Sequence, residues 1–457
     1  MLQDELGINR VLNIFRVSEL RKRIGFTLMV LLVFRIGGHI PTPGINLSAI
    51  QHMTQNTGGL FAMLDLFTGG GLKRMTIFAF GIMPYIQASI ILQLLQVVID
   101  DLKKMSESKD GRKKMQELTR YATIVITIVQ TIMVAFWLKN QTTSGEGGIS
   151  FLIKSIPFPV FLIMAIFTLV AGQMVLVWLG EQITEKGIGN GISLIIFAGI
   201  VSRIPAAIGS LITQQQTNAT ADSSSQLIQY VMILLVFMFI VAFVVYMEQA
   251  QRRVPLQYSK RIVGRRVYGV SADHLPIKLN PAGVIPIIFA SAVMVIFPAI
   301  GNMLARIPDK PLWLQGISAT VASTSGWFFY SVQFTLIVFF CYFYTAVTFN
   351  PEDITKNIYR MGGSIPGLSQ NNAALAIQKL LNRVIFPGAV FLGFIATLPA
   401  ILYGWMKIPQ GFAYLMGGTS LIIIVGVALD TMKQIESQLI MRHYPGLLRH
   451  GKLKGRR

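Results

Sequence analysis

The loop "QRRVPLQYSKRIVGRRVYGVSADHLPIK", residues 251–278, places Arg252, Arg253, Lys260, Arg261, Arg265 and Arg266 within a short run. Guanidinium forks suit phosphate and carboxylate, so the chemistry on offer is ion pairing with an acidic partner. No bond-making chemistry accompanies it. There is no GxxxxGK phosphate loop, and His39, His52, His274, His443 and His450 are scattered along the chain. The single cysteine, Cys341, lies in an apolar window, which excludes a disulfide framework and a cysteine metal site. No catalytic residue, metal or cofactor is expected, and the chain does not read as an enzyme.

A second pattern is spatial. Ile82, Ile86, Ser89, Gln93 and Gln96 follow a 4-3-4-3 spacing and share one helix face, apolar at one end and polar at the other. Glutamines facing lipid are costly. The stripe therefore reads as the wall of a wet funnel that isoleucines close.

The elements that must carry these residues are membrane helices. The chain is 53% hydrophobic and 13% charged, about half the charge fraction of a soluble protein. Asp, Glu, Lys and Arg are absent from 75–99, 121–138, 155–180, 223–247, 279–305, 384–406 and 408–429. Each window is long enough to cross a bilayer. Ten spans are predicted, at about 22–40, 76–99, 121–138, 157–179, 186–206, 227–247, 281–304, 327–348, 384–403 and 412–430. The N-terminal segment is neither a signal nor a transit peptide, so the first span is expected to stay. With the N-terminus inside, the cytoplasmic segments hold 31 of the 40 Lys and Arg, which puts both termini in the cytoplasm. The net charge of +20 is thus a topology signal before it is anything else.

"GIMPYIQAS" (81–89) is nearly repeated as "GVIPIIFAS" (283–291), in the second and seventh spans. The two run in opposite directions, which divides ten spans into two inverted sets of five. Each copy holds a proline, Pro84 or Pro286, read as a kink within the helix. "RIVGRRVYGV" (261–270) alternates around a Gly and reads as a short hairpin. Residues 100–120 read as a solvated helical hairpin or linker.

The stretches "VFRIGGHIPTPGI" (33–45), "FTGGGLKRMTIFAFGIMPYIQASIILQLLQ" (67–96), "WLGEQITEKGIGNGISLIIFAGIV" (178–201), "GRRVYGV" (264–270), "HLPIKLNPAGVIP" (274–286), "FYTAVTFNP" (343–351) and "GGTSLIIIV" (417–425) carry a resemblance over nearly the whole chain. They resemble the SecY/SEC61-alpha family in its bacterial form, the channel subunits of the Sec protein translocon. The resemblance implies an all-α polytopic membrane protein, with ten transmembrane helices in two inverted five-helix halves around an hourglass pore. It implies a cytoplasmic N-terminal segment (1–23), an N-terminal half (24–210), a C-terminal half (211–430) with docking loops at 247–280 and 349–383, and a basic cytoplasmic tail (431–457). The implied pore ring is Ile82, Ile86, Ile188, Ile192, Ile288 and Ile423. Ile188 and Ile192, four apart, are read as sharing one helix face.

The implied plug lies within 58–74 and includes Leu60, Phe61, Met63, Leu64, Asp65, Leu66 and Phe67. The implied lateral gate lies between spans 2 and 7, with Pro84, Gln87, Ser89, Gln130, Pro286 and Ser291. The six cations that open this section become the docking site for a motor or ribosome. Implied partners are the small membrane subunits SecE and SecG, the SecA ATPase, the ribosome, signal-sequence-bearing preproteins, anionic lipid and further membrane insertion factors. The implied location is the bacterial inner (plasma) membrane. One departure stands out: "SIPGLSQNNAA" (364–374) has Ser369 where the family usually has Arg. The rival reading, an ion-coupled transporter with inverted repeats, needs ionisable groups inside the bundle. None of the 20 acidic residues falls well inside a predicted span.

Overall fold

The computed structural model describes residues 17–46, 68–144, 153, 156–217, 223–258, 261–263, 266–268, 273–294, 296–305, 311–323, 326–406, 412 and 418–443. The chain divides into two compact units, Met1–Pro205 with Val427–Arg457, and Ala206–Gly426.

The first unit contains helices α1 (Ser18–Gly37), α2 (Met83–Val98), α3 (Asp100–Glu107), α4 (Lys109–Ser144), α5 (Phe158–Lys186) and α6 (Gly191–Val201). Helix α4 packs between α2 and α5, and α1 packs on α5. The buried face of α5 repeats at three- and four-residue steps through Phe161, Ala165, Leu169, Gly172, Leu176, Gly180 and Ile183. On α4, Thr119, Thr123, Thr127 and Thr131 are all buried, and each hydroxyl donates 2.7 Å to the carbonyl four residues back. The hydroxyls are satisfied within their own helix, so this face packs as a row of small groups. Ala135 and Leu138 continue it into a core with Ile45, Leu72, Met75, Ala79, Phe161, Ala165 and Leu169. In lipid such packing rests on close contact, because leaving the bilayer's hydrocarbon gains nothing.

The second unit takes up the chain within α7 (Ile204–Thr217) and continues with α8 (Ser223–Gln249). Four strands follow: β1 (Gln251–Tyr258), β2 (Arg261–Val263), β3 (Arg266–Tyr268) and β4 (Asp273–Lys278). Then come α9 (Ile285–Met294), α10 (Ile296–Ala305), α11 (Leu312–Ala322), α12 (Trp327–Thr348), α13 (Pro351–Arg360), β5 (Gly363–Ser364) and α14 (Gln370–Met406). Helix α15 (Gly418–His443) contributes its first residues to this unit and the rest to the first. Helix α12 packs between α9 and α14. Helix α8 meets α14 through Phe243 and Phe391, whose rings cross at 5.2 Å. Spans 2-3-4 and 7-8-9 therefore pack in the same order within their own units.

Among the described residues, eight helices are long and apolar enough to cross a membrane, or nine if α2 and α3 count as one span bent by 113°. Helix α1, which carries Arg21, Lys22, Arg23 and Arg35, falls outside that group, so the predicted ten is not reached by this measure. Several boundaries also move. Span 2 was expected from 76, yet residues 68–82 form mainly turns, and Ile77 N–H donates 2.9 Å to Ile40 O. Span 7 was expected from 281, and its helix starts at Ile285. The segment 100–120 is helical on both sides of a break at Ser108, as expected of a hairpin.

Strands β2 and β3 pair antiparallel with Val263 opposite Arg266, the hairpin read from the alternation. A second sheet has the order β4-β1-β5. It joins the loop segments 247–280 and 349–383, with Gln257 opposite Ser364.

Candidate functional site

The two copies of the repeated stretch build the same local structure. Gly81 has φ +54° and Gly283 has φ +63°, a left-handed conformation that only glycine adopts cheaply. Each glycine N–H turns back to the carbonyl three residues earlier, Phe78 O at 2.9 Å and Asn280 O at 3.4 Å. Two residues later a helix starts, at Met83 or Ile285. Ile86 N–H then bonds Ile82 O at 3.2 Å, and Ile288 N–H bonds Val284 O at 3.3 Å. Pro84 and Pro286 are each the second residue of their helix. This corrects the kink reading. Proline lacks the N–H that the first turn leaves unpaired anyway, so here it starts a helix.

The correspondence extends to the neighbours. A Cβ on Gly172 of α5 would lie 2.1 Å from Ile77 O, and a Cβ on Gly388 of α14 would lie 2.5 Å from Leu279 O. Those carbonyls occupy equivalent places, one residue before Phe78 and Asn280. In both units a glycine on the fourth helix of the repeat lets the turn before the second helix approach backbone to backbone.

The residues expected to form the pore ring fall as follows. Ile82, Ile86 and Ile188 are buried in the first unit, Ile192 is half-buried there, and Ile288 and Ile423 are buried in the second. Ile188 is not on a helix face with Ile192. It sits in the bend before α6, where its N–H bonds Thr27 Oγ1 at 3.1 Å and Gly189 N–H bonds Gln434 Oε1 at 2.8 Å. Asn190 then caps α6 by accepting from Ile192 and Ser193 N–H. The four-residue spacing carried no helical phase because the helix starts only at Gly191.

Along the expected stripe, Ile82 precedes α2 as its N-cap and is buried, Ile86 is buried, and Ser89, Gln93 and Gln96 are half-buried. Gln93 Nε2 donates to Ser89 Oγ at 3.1 Å. Of the gate candidates, Gln130 Nε2 on α4 donates to Gln87 Oε1 on α2 at 2.6 Å. Ser291 is buried and its hydroxyl donates to Ile287 O, on its own helix, at 2.8 Å.

The expected plug residues Leu60, Phe61, Met63, Leu64, Asp65, Leu66 and Phe67 lie outside the described residues. Just after them, Gly69 backs onto Gly199 of α6, and Arg35 Nη1 donates to Gly69 O at 3.4 Å.

In the basic loop, Arg252 and Arg253 are exposed on β1, opposite Ile277 and Pro276. Neighbours on a strand point to opposite faces, so this pair does not present one bidentate cluster. Arg261 and Arg266 lie on β2 and β3, opposite Tyr268 and Val263. Lys260 and Arg265 lie outside the described residues. Ser369 is exposed, and its carbonyl accepts from Ala373 N–H at 2.8 Å as α14 begins.

Two contacts were missed in the sequence. Asn280 Nδ2 donates to Gly283 O at 2.8 Å and to Glu248 Oε2 at 3.1 Å. Arg120 on α4 meets Glu181 on α5 through both carboxylate oxygens, Nε to Oε1 at 3.0 Å and Nη2 to Oε2 at 2.6 Å. The dipeptide Asn280-Pro281 was a turn signal that the apolar window hid.

The fold is that of the protein-conducting channels. A solved structure of a protein-conducting channel superposes with TM-score 0.65 at 20% identity, covering 93% of this chain and 94% of that one. The Sec61 channel from a canine ribosome-channel complex of the endoplasmic reticulum superposes with TM-score 0.60 at 20% identity, with coverage of 93% and 94%. Sequence narrows the class. The SecY family model matches residues 76–432. The protein translocase subunit SecY of Thermotoga maritima is 41% identical over 454 residues, 97% of this chain and 99% of that relative. The chain belongs to the SecY family and is a multi-pass membrane protein.

Proposed function

We propose that this protein is a protein-conducting channel. It passes unfolded secretory polypeptides across the bacterial plasma membrane and releases hydrophobic segments sideways into lipid. Near-complete coverage at 41% identity by a relative named as a protein translocase subunit carries the reading. The paired turn-and-helix starts of α2 and α9 support it from geometry. An ion-coupled transporter finds no support in the family match.

In this reading Ile82, Ile86, Ile188, Ile192, Ile288 and Ile423 form the constriction. The segment at 58–74 is the plug, and α2 and α9, with Pro84, Gln87, Ser89, Gln130, Pro286 and Ser291, line the gate. The halves 24–210 and 211–430 carry these parts, and both termini lie in the cytoplasm. SecE and SecG are the small membrane partners. SecA or a ribosome docks on Arg252, Arg253, Lys260, Arg261, Arg265 and Arg266, and anionic lipid attends the basic loops. The solved Sec61 neighbour is itself ribosome-bound.

Reconstitution with SecE, SecG and SecA tests the reading. Vesicles should protect a preprotein from added protease only when ATP is supplied. The Ile86→Asn/Ile288→Asn variant should also raise resting ion conductance, because amides wet a constriction that isoleucines keep dry. Protection that does not depend on ATP, or an unchanged conductance in the double variant, would count against the channel and the ring respectively.

A further inference from the structure

The two equivalent turns differ in what holds them. Before α2 the third residue ahead of the glycine is Phe78, and before α9 it is Asn280. Phe78 is buried, and its ring stacks on Phe34 with centroids 6.1 Å apart. A Cβ on Gly37 of α1 would fall 2.0 Å from that ring, so an absent side chain makes the seat for it. The first turn is thus held by apolar packing that water does not compete for.

The second turn is held by polar contacts. Asn280 and Glu248 are each 6% exposed. Glu248 is the penultimate residue of α8, and Leu279 N–H donates 2.9 Å to Ala250 O just beyond that helix. Asn280 therefore links the end of α8, through the Glu248 carboxylate, to the carbonyl of the left-handed Gly283. The direction of α9 follows from that turn. A buried carboxylate–amide bond in a low-dielectric site is strong while dry and weakens when water enters.

We propose that Glu248 and Asn280 are a positioning pair that sets how firmly the start of α9 is held. As a clasp, the pair governs how readily α9 reorients, whereas the start of α2 stays fixed. This rests on the reading of α9 as a gate helix. The gate's threshold for a signal sequence would then depend on this pair, although neither residue touches the translocating chain.

The test uses the full chain with its membrane partners, in lipid. Hydrogen exchange over residues 281–290 reports the clasp directly, and translocation of a preprotein with a crippled signal sequence reports the threshold. Asn280→Ala removes both donations, and exchange should rise about tenfold, the size expected for losing a charge-assisted bond. The crippled preprotein should gain relative to the intact one. Glu248→Gln keeps an accepting oxygen but loses the charge, so both readouts should move less than in Glu248→Ala. Glu248→Ala spares the Asn280–Gly283 bond and should fall between, which keeps the test alive should Asn280→Ala fail to accumulate. Unchanged exchange in Glu248→Ala and Asn280→Ala overturns the clasp. Raised exchange with unchanged signal selectivity also overturns the proposal, because the pair would then be local structure only. Failure of the gate reading shows differently: the parent protein itself would not distinguish intact from crippled signal sequences.

Discussion

The turns before α2 and α9 share a glycine conformation, a backbone bond, a proline position and a close glycine neighbour, yet one is locked by an aromatic ring and the other by an amide and a carboxylate. Backbone architecture has been kept while the side-chain chemistry has been replaced. Aromatic packing fails only when atoms separate, whereas a polar clasp also fails when water arrives between its partners. The two helix starts therefore have similar shape and different sensitivity.

The largest expected effect separates them directly. Phe78→Ala should cost about 3–5 kcal/mol, from lost packing and the cavity left against Gly37. Asn280→Ala should cost about 1–3 kcal/mol, from the two donations lost to Glu248 and to Gly283 O. Thermal unfolding in one detergent compares them, and equal losses would break the contrast. Next come the glycines the two regions share. Gly172→Ala and Gly388→Ala should each destabilise by about 1–3 kcal/mol, because the methyl meets backbone that cannot swing aside. A tolerated Gly388→Ala beside a damaging Gly172→Ala would show that the two turns are alike in trace only. The smallest effect concerns the polar side chains further along. A double-mutant cycle on Gln87 and Gln130 should return about 0.6–1.7 kcal/mol of coupling, typical for interhelical bonds in lipid. Ser291→Ala, whose hydroxyl bonds its own helix, should move stability by less than about 0.5 kcal/mol. A larger loss there would mean that Ser291 has a second partner.

Much of this was legible in the residues. Charge-free windows located the membrane helices because lipid excludes ionised groups. The 81–89 and 283–291 likeness exposed the repeat, and the alternation around Gly264 exposed the β2–β3 pairing. The misses share a cause. Hydropathy marks an apolar run without saying where in it the helix begins, so Pro84 and Pro286 were read as interior and Ile188 was given a helical phase. Gly81, Gly283 and Asn190 held that information as turn and cap chemistry. Other misses were contacts across sequence distance: Asn280 with Glu248, Arg120 with Glu181, and Gln257 with Ser364. No local pattern announces such pairs.

The β4-β1-β5 sheet has a mechanical consequence. Strand β1 leaves α8 after a single residue, β4 ends a few residues before the Gly283 turn, and two residues separate the end of α13 from β5. Six residue pairs tie β1 to β4 over roughly 20 Å of ribbon at the usual rise per residue. A load applied near the far end of this ribbon pulls on a ladder of bonds in shear, which yields less easily than bonds opened one at a time. The ribbon then behaves as a stiff lever whose short arm ends at Asn280. A force that tilts it would deliver torque to the base of α9, and through β5 the same push would reach the loop that carries Ser369. Two loops joined in this way would move as one part.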